Sequence, residues 1–158
     1  MPANTTPIFS LTPNISSVKC TTTSAVPISD GSSSGTSTQL MYCCWASGSN
    51  GSFLQRVRIS SVANSAATSS VATTFRIFLS TVSTTVGSAA GATTAANTIL
   101  LAEVSLPIIV SDHNANATVY YEVTLNMAIP TGRWILVAQH NAQTTNQNLQ
   151  ATAIGGDY

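Results

Sequence analysis

Apolar and polar residues alternate along several segments of the chain, with a period of two residues. This alternation is typical of a half-buried β-strand, because successive side chains on a strand point to opposite faces. In residues 53–59 it predicts Phe53, Val57 and Ile59 on the core face and Arg56 and Arg58 on the solvent face. The segment is therefore predicted to be a strand.

Two further segments repeat the pattern. Residues 74–79 place Phe75, Ile77 and Leu79 on one face. Residues 119–127 show the clearest alternation, and the residues predicted to share their core face are Val119, Tyr121, Val123, Leu125 and Met127. Both segments are predicted to be strands with one buried face.

Shorter apolar runs mark candidate strands at residues 8–11, 26–29, 38–46, 99–106, 134–140 and 149–154. Clusters of Gly, Pro, Asn and Ser separate the segments, and no capped run with helical periodicity occurs. About eight or nine short strands predict an all-β fold, an antiparallel β-sandwich or jelly roll. We expect a single domain over residues 1–158, with a short N-terminal arm at residues 1–14 and a low-complexity loop at residues 80–96.

Charge is scarce: 6% of residues are charged, and five Lys plus Arg balance five Asp plus Glu. Binding to nucleic acid or to an acidic membrane surface needs clustered cations, so we expect neither partner. The most apolar window, residues 99–110, is interrupted by Glu103 and Pro107 and is too short to span a bilayer. The first residues lack the basic and apolar regions of a secretory signal, so export by that route is not expected.

The cysteines do not form a recognisable framework. Cys20, Cys43 and Cys44 are odd in number, and two of them are adjacent. A disulfide set would be even and spaced, and a zinc site would show closely spaced pairs near histidines. We expect buried free thiols and a reducing site of synthesis.

Catalytic chemistry has few candidate residues. The only histidines, His113 and His140, fall in a polar loop and at a strand end. Glu103 and Glu122 fall on predicted strands, where a carboxylate readily pairs with arginine, as Glu122 could with Arg58. We expect no enzymatic activity, no metal and no cofactor. A hydrolase that uses one of the histidines is kept as a third hypothesis.

Four aromatic residues could form a carbohydrate-binding platform: Trp45, Trp134, Tyr120 and Tyr121. Large aromatic residues on strands more often belong to a core or an interface. We favour that interpretation, and the platform stays an alternative.

Strand edges have little protection in this sequence. Residues 7–13 form a short apolar segment bounded by prolines, which suits an edge strand. Edges are usually protected by charged residues, above all lysine, and Lys19 is the only lysine. Edges of this protein are therefore expected either to be covered within the fold or to pair between subunits.

Four stretches resemble those of a known group of proteins: PIFSLTPN at residues 7–14, GSFLQRVRI at 51–59, YEVTLNMAIPTG at 121–132 and ATAIGGDY at 151–158. They are similar to small virion proteins of tailed phages and prophages, of the capsid decoration (cement) type. The resemblance implies a β-sandwich or jelly-roll subunit on the capsid exterior, often a homotrimer, made in the cytoplasm of a bacterial host. It implies the major capsid protein and further copies of the chain as partners.

The leading hypothesis is thus a non-enzymatic virion structural protein that stabilises a phage capsid by bridging its subunits. The candidate interface residues are Ile8, Phe9, Leu11 and Tyr158. The first three lie in the proline-bounded segment, and Tyr158 ends the GGDY stretch that is the most distinctive part of the resemblance. The alternative is a receptor- or carbohydrate-binding β-sandwich module associated with a phage tail.

Overall fold

The computed structural model describes residues 12–21, 30–33, 40–63, 68–111, 119–143 and 147–158. These residues contain ten β-strands and no helix. The strands are β1 (Thr12–Cys20), β2 (Tyr42–Ala46), β3 (Ser52–Ala63), β4 (Thr68–Ser69), β5 (Thr73–Ser80), β6 (Thr98–Leu106), β7 (Val110–Ser111), β8 (Tyr120–Ile129), β9 (Trp134–Gln139) and β10 (Gln147–Asp157).

Two four-stranded sheets pack face to face. Sheet I has the order β1-β10-β3-β8, sheet II has the order β2-β9-β5-β6, and β4 pairs with β7 in a separate two-stranded ribbon. Every ladder is antiparallel. The pairs are nested along the chain, from β5 with β6, through β3 with β8 and β2 with β9, to β1 with β10. A long hairpin rolled up in this way is a jelly roll, so the predicted all-β sandwich is confirmed.

The hydrophobic core fills the space between the sheets. Val57, Ile59, Phe75 and Ile77 are fully buried there, as their alternation predicts, and Trp45 is the largest side chain among them. Strands β1 and β2 contact each other at one side of the sandwich, and β6 and β8 are the edge strands of the other side. We refer to these as the closed side and the open side.

The prediction that Phe53 faces the core is wrong. Gln55 forms a β-bulge, since Leu54 and Arg56 on β3 are opposite the consecutive residues Gly155 and Ile154 on β10. The extra residue reverses the alternation, so Leu54 is fully buried and Phe53 is only partly buried. A bulge shifts the alternation by one residue, so the face assigned from Val57 and Ile59 does not extend to Phe53.

Strand β1 was not among the predicted strands. Its signal is short, because only Val18 and Cys20 are buried while Lys19 between them is exposed. Residues 12–14, expected in the N-terminal arm, are the first residues of this strand. The candidate strands at residues 8–11 and 26–29 lie outside the described residues.

The connection from β5 to β6, residues 81–97, covers the outer face of sheet II. A second apolar cluster lies between the connection and the sheet, in which Ala90 of the connection is buried with Met41, Cys43, Phe78 and Leu136. The expected low-complexity loop at residues 80–96 thus coincides with a segment that packs on the sheet. Sheet II is therefore covered on its outer face in the region of this cluster.

Candidate functional site

The two edges of the closed side are protected in different ways. Strand β1 carries the exposed Lys19, and a charged edge residue opposes pairing with another chain. Strand β2 is capped by the β5–β6 connection: Cys43 N donates to Ser88 O at 3.0 Å, Gly87 N to Cys43 O at 2.9 Å and Ala90 N to Met41 O at 2.8 Å. For β2, the edge is therefore covered within the fold.

The edges of the open side carry β-bulges instead. On β6, Leu101 is the extra residue between the partners of Ile77 and Phe78. On β8, Leu125 and Asn126 lie opposite Gln55 alone, and Asn126 has a φ of 46°. A bulge bends and twists an edge away from a flat partner, so strand addition is opposed at both edges. Contacts on this side would involve side chains more than the backbone.

The side chains of the open side are incompletely covered. The apolar residues of β6 and β8 that pack against the core and remain partly exposed are Leu101, Ala102, Val104, Tyr121, Val123, Leu125 and Met127. Ile99, near the start of β6, is still more accessible, with 63% of its surface exposed. Exposed apolar patches on a protein often mark sites of contact with another molecule. The open side is our candidate functional site.

Sequence reasoning located half of this site. The alternation in residues 119–127 identified the inward face of β8, but the sequence does not say that β8 and β6 are edge strands of one side. Val119, which the alternation places on the core face, is 55% exposed just before β8 begins. The partners from β6, Leu101 and Val104, were not singled out, because their apolar run reads equally well as a fully buried strand.

The outer face of sheet I carries most of the protein's cations. Arg56 Nε and Arg58 Nη2 each lie 3.4 Å from Glu122 Oε2, which confirms the predicted pairing of Glu122 with Arg58. The Arg58 guanidinium also lies 4.3 Å from the centroid of the Tyr120 ring, a cation–π contact. One carboxylate serves two guanidinium groups here, so the patch has a net positive charge.

Of the candidate interface residues, the structure describes only Tyr158; Ile8, Phe9 and Leu11 lie outside the described residues. Tyr158 N donates to Gly51 O at 3.1 Å, and its ring lies against Gly51. The preceding Asp157 accepts hydrogen bonds from Ser52 Oγ and Asn14 Nδ2. These bonds fasten the last residues to β1 and β3, and Tyr158 itself is partly buried.

All three cysteines are buried free thiols, as predicted. Burial raises the pKa of Cys43 to about 11. Its thiol donates a hydrogen bond to Trp45 O at 3.3 Å. Burial and the neighbouring thiols raise the pKa of Cys44 well above its ordinary value. The protonated thiol is a poor nucleophile and metal ligand, so neither residue is poised for covalent chemistry.

His140 lies at the end of β9 and is exposed. Its Nδ1 is 3.5 Å from Arg76 Nη1, and the Arg76 Nε donates to Glu103 Oε1. A histidine beside a guanidinium is not oriented by a carboxylate, as a general base in a triad would be. His113 lies outside the described residues. Among the residues that the structure describes, no group of three or more His, Cys, Asp and Glu residues could hold a metal ion.

The aromatic residues proposed for a carbohydrate platform do not lie together. Trp45 is fully buried in the core. Trp134 packs partly buried against the second apolar cluster on sheet II, and Tyr121 faces the open side. Tyr120 alone of the four offers an exposed ring, on the outer face of sheet I. Tryptophan no longer supports the carbohydrate-binding alternative.

The chain matches no protein-family model, no curated protein and no solved structure. Within the described ranges, the structure also has no helix that is long and apolar enough to cross a membrane. Three features of the geometry bear on function: an apolar open side, a cationic face of sheet I, and buried, unreactive thiols.

Proposed function

We propose that this protein is a non-enzymatic virion structural protein that decorates a phage capsid and stabilises it by bridging neighbouring capsid subunits. The observation that carries the proposal is the open side, where core-facing side chains of β6 and β8 stay partly exposed. A sandwich that leaves one side of its core uncovered is best stabilised by a neighbouring protein. The resemblance of four sequence stretches to capsid decoration proteins supports the same role.

The partners are the major capsid protein and further copies of the chain, with a homotrimer favoured. Zero net charge over the whole chain favours association, since copies do not repel one another at long range. A stable interface buries on the order of 800 Å² on each partner, with an apolar centre and a polar rim. Val104, Val123 and Leu125 would form such a centre, and the exposed Glu103 and Ser105 such a rim.

The proposed location is the capsid exterior, after synthesis in the bacterial cytoplasm. Three buried free thiols suit a protein that folds in a reducing compartment, because it requires no disulfide for stability. The jelly-roll topology fits a capsid role but does not select it, since lectin domains use the same architecture.

The test is cosedimentation of the purified chain with assembled capsid shells, together with sedimentation equilibrium of the chain alone. We expect an oligomer that binds shells. Val123→Glu on the inward face of β8 should abolish binding, while Thr124→Glu, its outward neighbour, should retain it. Circular dichroism of both variants checks that they fold. A strictly monomeric chain without affinity for shells would contradict the proposal.

The alternative, a receptor- or carbohydrate-binding module on a phage tail, is supported by one observation. Tyr120 presents an exposed ring beside Arg58, and aromatic rings paired with cations are used in ligand binding. Glycan-array binding that is lost in Tyr120→Ala would favour this alternative. Trp45→Ala is not a suitable test, because Trp45 is buried and its loss would disturb the core.

A further inference from the structure

A cleft of about 330 Å³ lies where β5 ends, β6 begins and a turn joins β8 to β9. Its volume is at the lower end of the range of small-ligand sites. Leu79, Ile99 and Pro130 give it an aliphatic wall, and Asn97 and Arg133 contribute polar groups. Ile99 is largely exposed, so a ligand could reach it without a change in the fold.

The backbone of Arg133 is fixed at the mouth of this cleft. Gly132 has a φ of 69°, a conformation that favours glycine and allows the tight turn. Arg133 N then donates to Ser47 Oγ at 3.2 Å, and Arg133 O accepts from Ser47 N at 3.0 Å. The side chain therefore extends from a held position, which reduces the entropy lost when it binds a ligand.

The Arg133 side chain differs from those of the other arginines in having no ion-pair partner within the part of the chain that the structure describes. Arg56 and Arg58 share Glu122, and Arg76 pairs with Glu103. Among the residues that the structure describes, no carboxylate forms an ion pair with Arg133. Its guanidinium is available to an anion from outside the chain.

Asn97 supplies a second donor. Its Oδ1 accepts from Thr94 N at 2.8 Å and from Thr98 Oγ1 at 3.0 Å, which fixes the orientation of the amide. The Nδ2 group makes no hydrogen bond to the described part of the chain and can donate to a ligand in the cleft. Together with Arg133 it provides donors beside an aliphatic wall.

We propose that this cleft binds a carboxylate on an aliphatic stem, namely a glutamate side chain presented by a partner protein. The planar guanidinium of Arg133 matches the two oxygens of a carboxylate, and Ile99 and Leu79 contact the methylene groups that precede it. None of the described residues that line the cleft is aromatic, so among them a sugar acid would lack a stacking surface. The site does not depend on the proposed capsid role, since any acidic protein surface could supply the glutamate.

The test is titration of the full chain with an end-blocked pentapeptide that has a central glutamate between two leucines, followed by NMR. We expect shifts of the amides of Asn97, Ile99 and Arg133, and no binding of the matched glutamine peptide. Arg133→Gln should weaken binding at least about tenfold, since a charge-assisted hydrogen bond is lost. Ile99→Ser should weaken it less, and Lys19→Gln, a distant exposed cation, should leave it unchanged.

Absence of binding, equal affinity for the two peptides, or full affinity in a folded Arg133→Gln variant would overturn the proposal. Glucuronate is the third probe. If it bound more tightly than the glutamate peptide, the cleft would be a sugar-acid site and the assignment to a protein partner would be wrong. The NMR spectrum of each variant shows directly whether it is folded.

Discussion

The closed and open sides of the sandwich both have strands with inward-facing apolar residues, but they differ in how completely those residues are covered. On the closed side Val18, Cys20, Cys44 and Trp45 are buried, and a hydrogen bond from Ser16 Oγ to Cys44 O links β1 to β2. On the open side the equivalent inward residues of β6 and β8 stay partly exposed. The difference shows where this fold is complete by itself and where it offers a surface to a neighbour.

The largest effect expected from this contrast is on the closed side. Trp45→Ala removes the biggest fully buried side chain and should lower the free energy of unfolding by about 3–5 kcal/mol. Urea denaturation followed by circular dichroism measures it. A loss below about 1 kcal/mol would mean that Trp45 packs as loosely as the open-side residues do.

The next largest loss of stability is expected in the β5–β6 connection that caps β2. Ala90, in the β5–β6 connection, is buried in the second apolar cluster, while Ala92 in the same connection is exposed. Ala90→Glu places an unpaired charge in the apolar cluster and should cost about 2–3 kcal/mol, whereas Ala92→Glu should be nearly neutral. Thermal unfolding of the two variants tests this. Equal melting temperatures would show that the connection does not protect the edge.

A matched pair compares the core with the open side directly. Val57 and Val123 are cross-strand partners on β3 and β8, the first fully buried and the second partly exposed. Truncation to alanine should cost about 2 kcal/mol at Val57 and about half of that at Val123, in proportion to the apolar area that each buries. Chemical denaturation of dilute, monomeric protein is the measurement. Similar losses at both positions would remove the distinction between the sides.

The last prediction concerns pH, and its effect is smallest at neutral pH. The raised pKa of Cys43, about 11, favours the protonated thiol in the folded protein. This stabilisation is fully present below the ordinary thiol pKa and is lost as the pH rises through the folded-state value. The Cys43 thiol should therefore change the free energy of unfolding little between pH 7 and 8, and should lower it as the pH rises towards 11. A Cys43→Ala variant serves as the control, because its stability should fall less steeply there.

Much of the fold could be predicted from the sequence, since alternation in residues 53–59, 74–79 and 119–127 reflects burial of one strand face. Bulges could not, because an inserted residue such as Gln55 leaves no chemical mark. The cap over β2 could not be predicted either. It consists of Ser, Gly and Ala residues, and such a composition is typical of a loop whether or not the loop packs against a sheet. The open side depends on which strands lie at the edges, a property of the topology that no local pattern encodes.

The most direct test of the account is hydrogen–deuterium exchange on the chain diluted to monomer and on the chain bound to assembled capsid shells. The account predicts that binding slows exchange in β6 and β8 and leaves the already covered β2 unchanged. Unchanged exchange in β6 and β8 in the bound state, with new protection confined to the closed side, would contradict the claim that the open side is where this protein meets its neighbours.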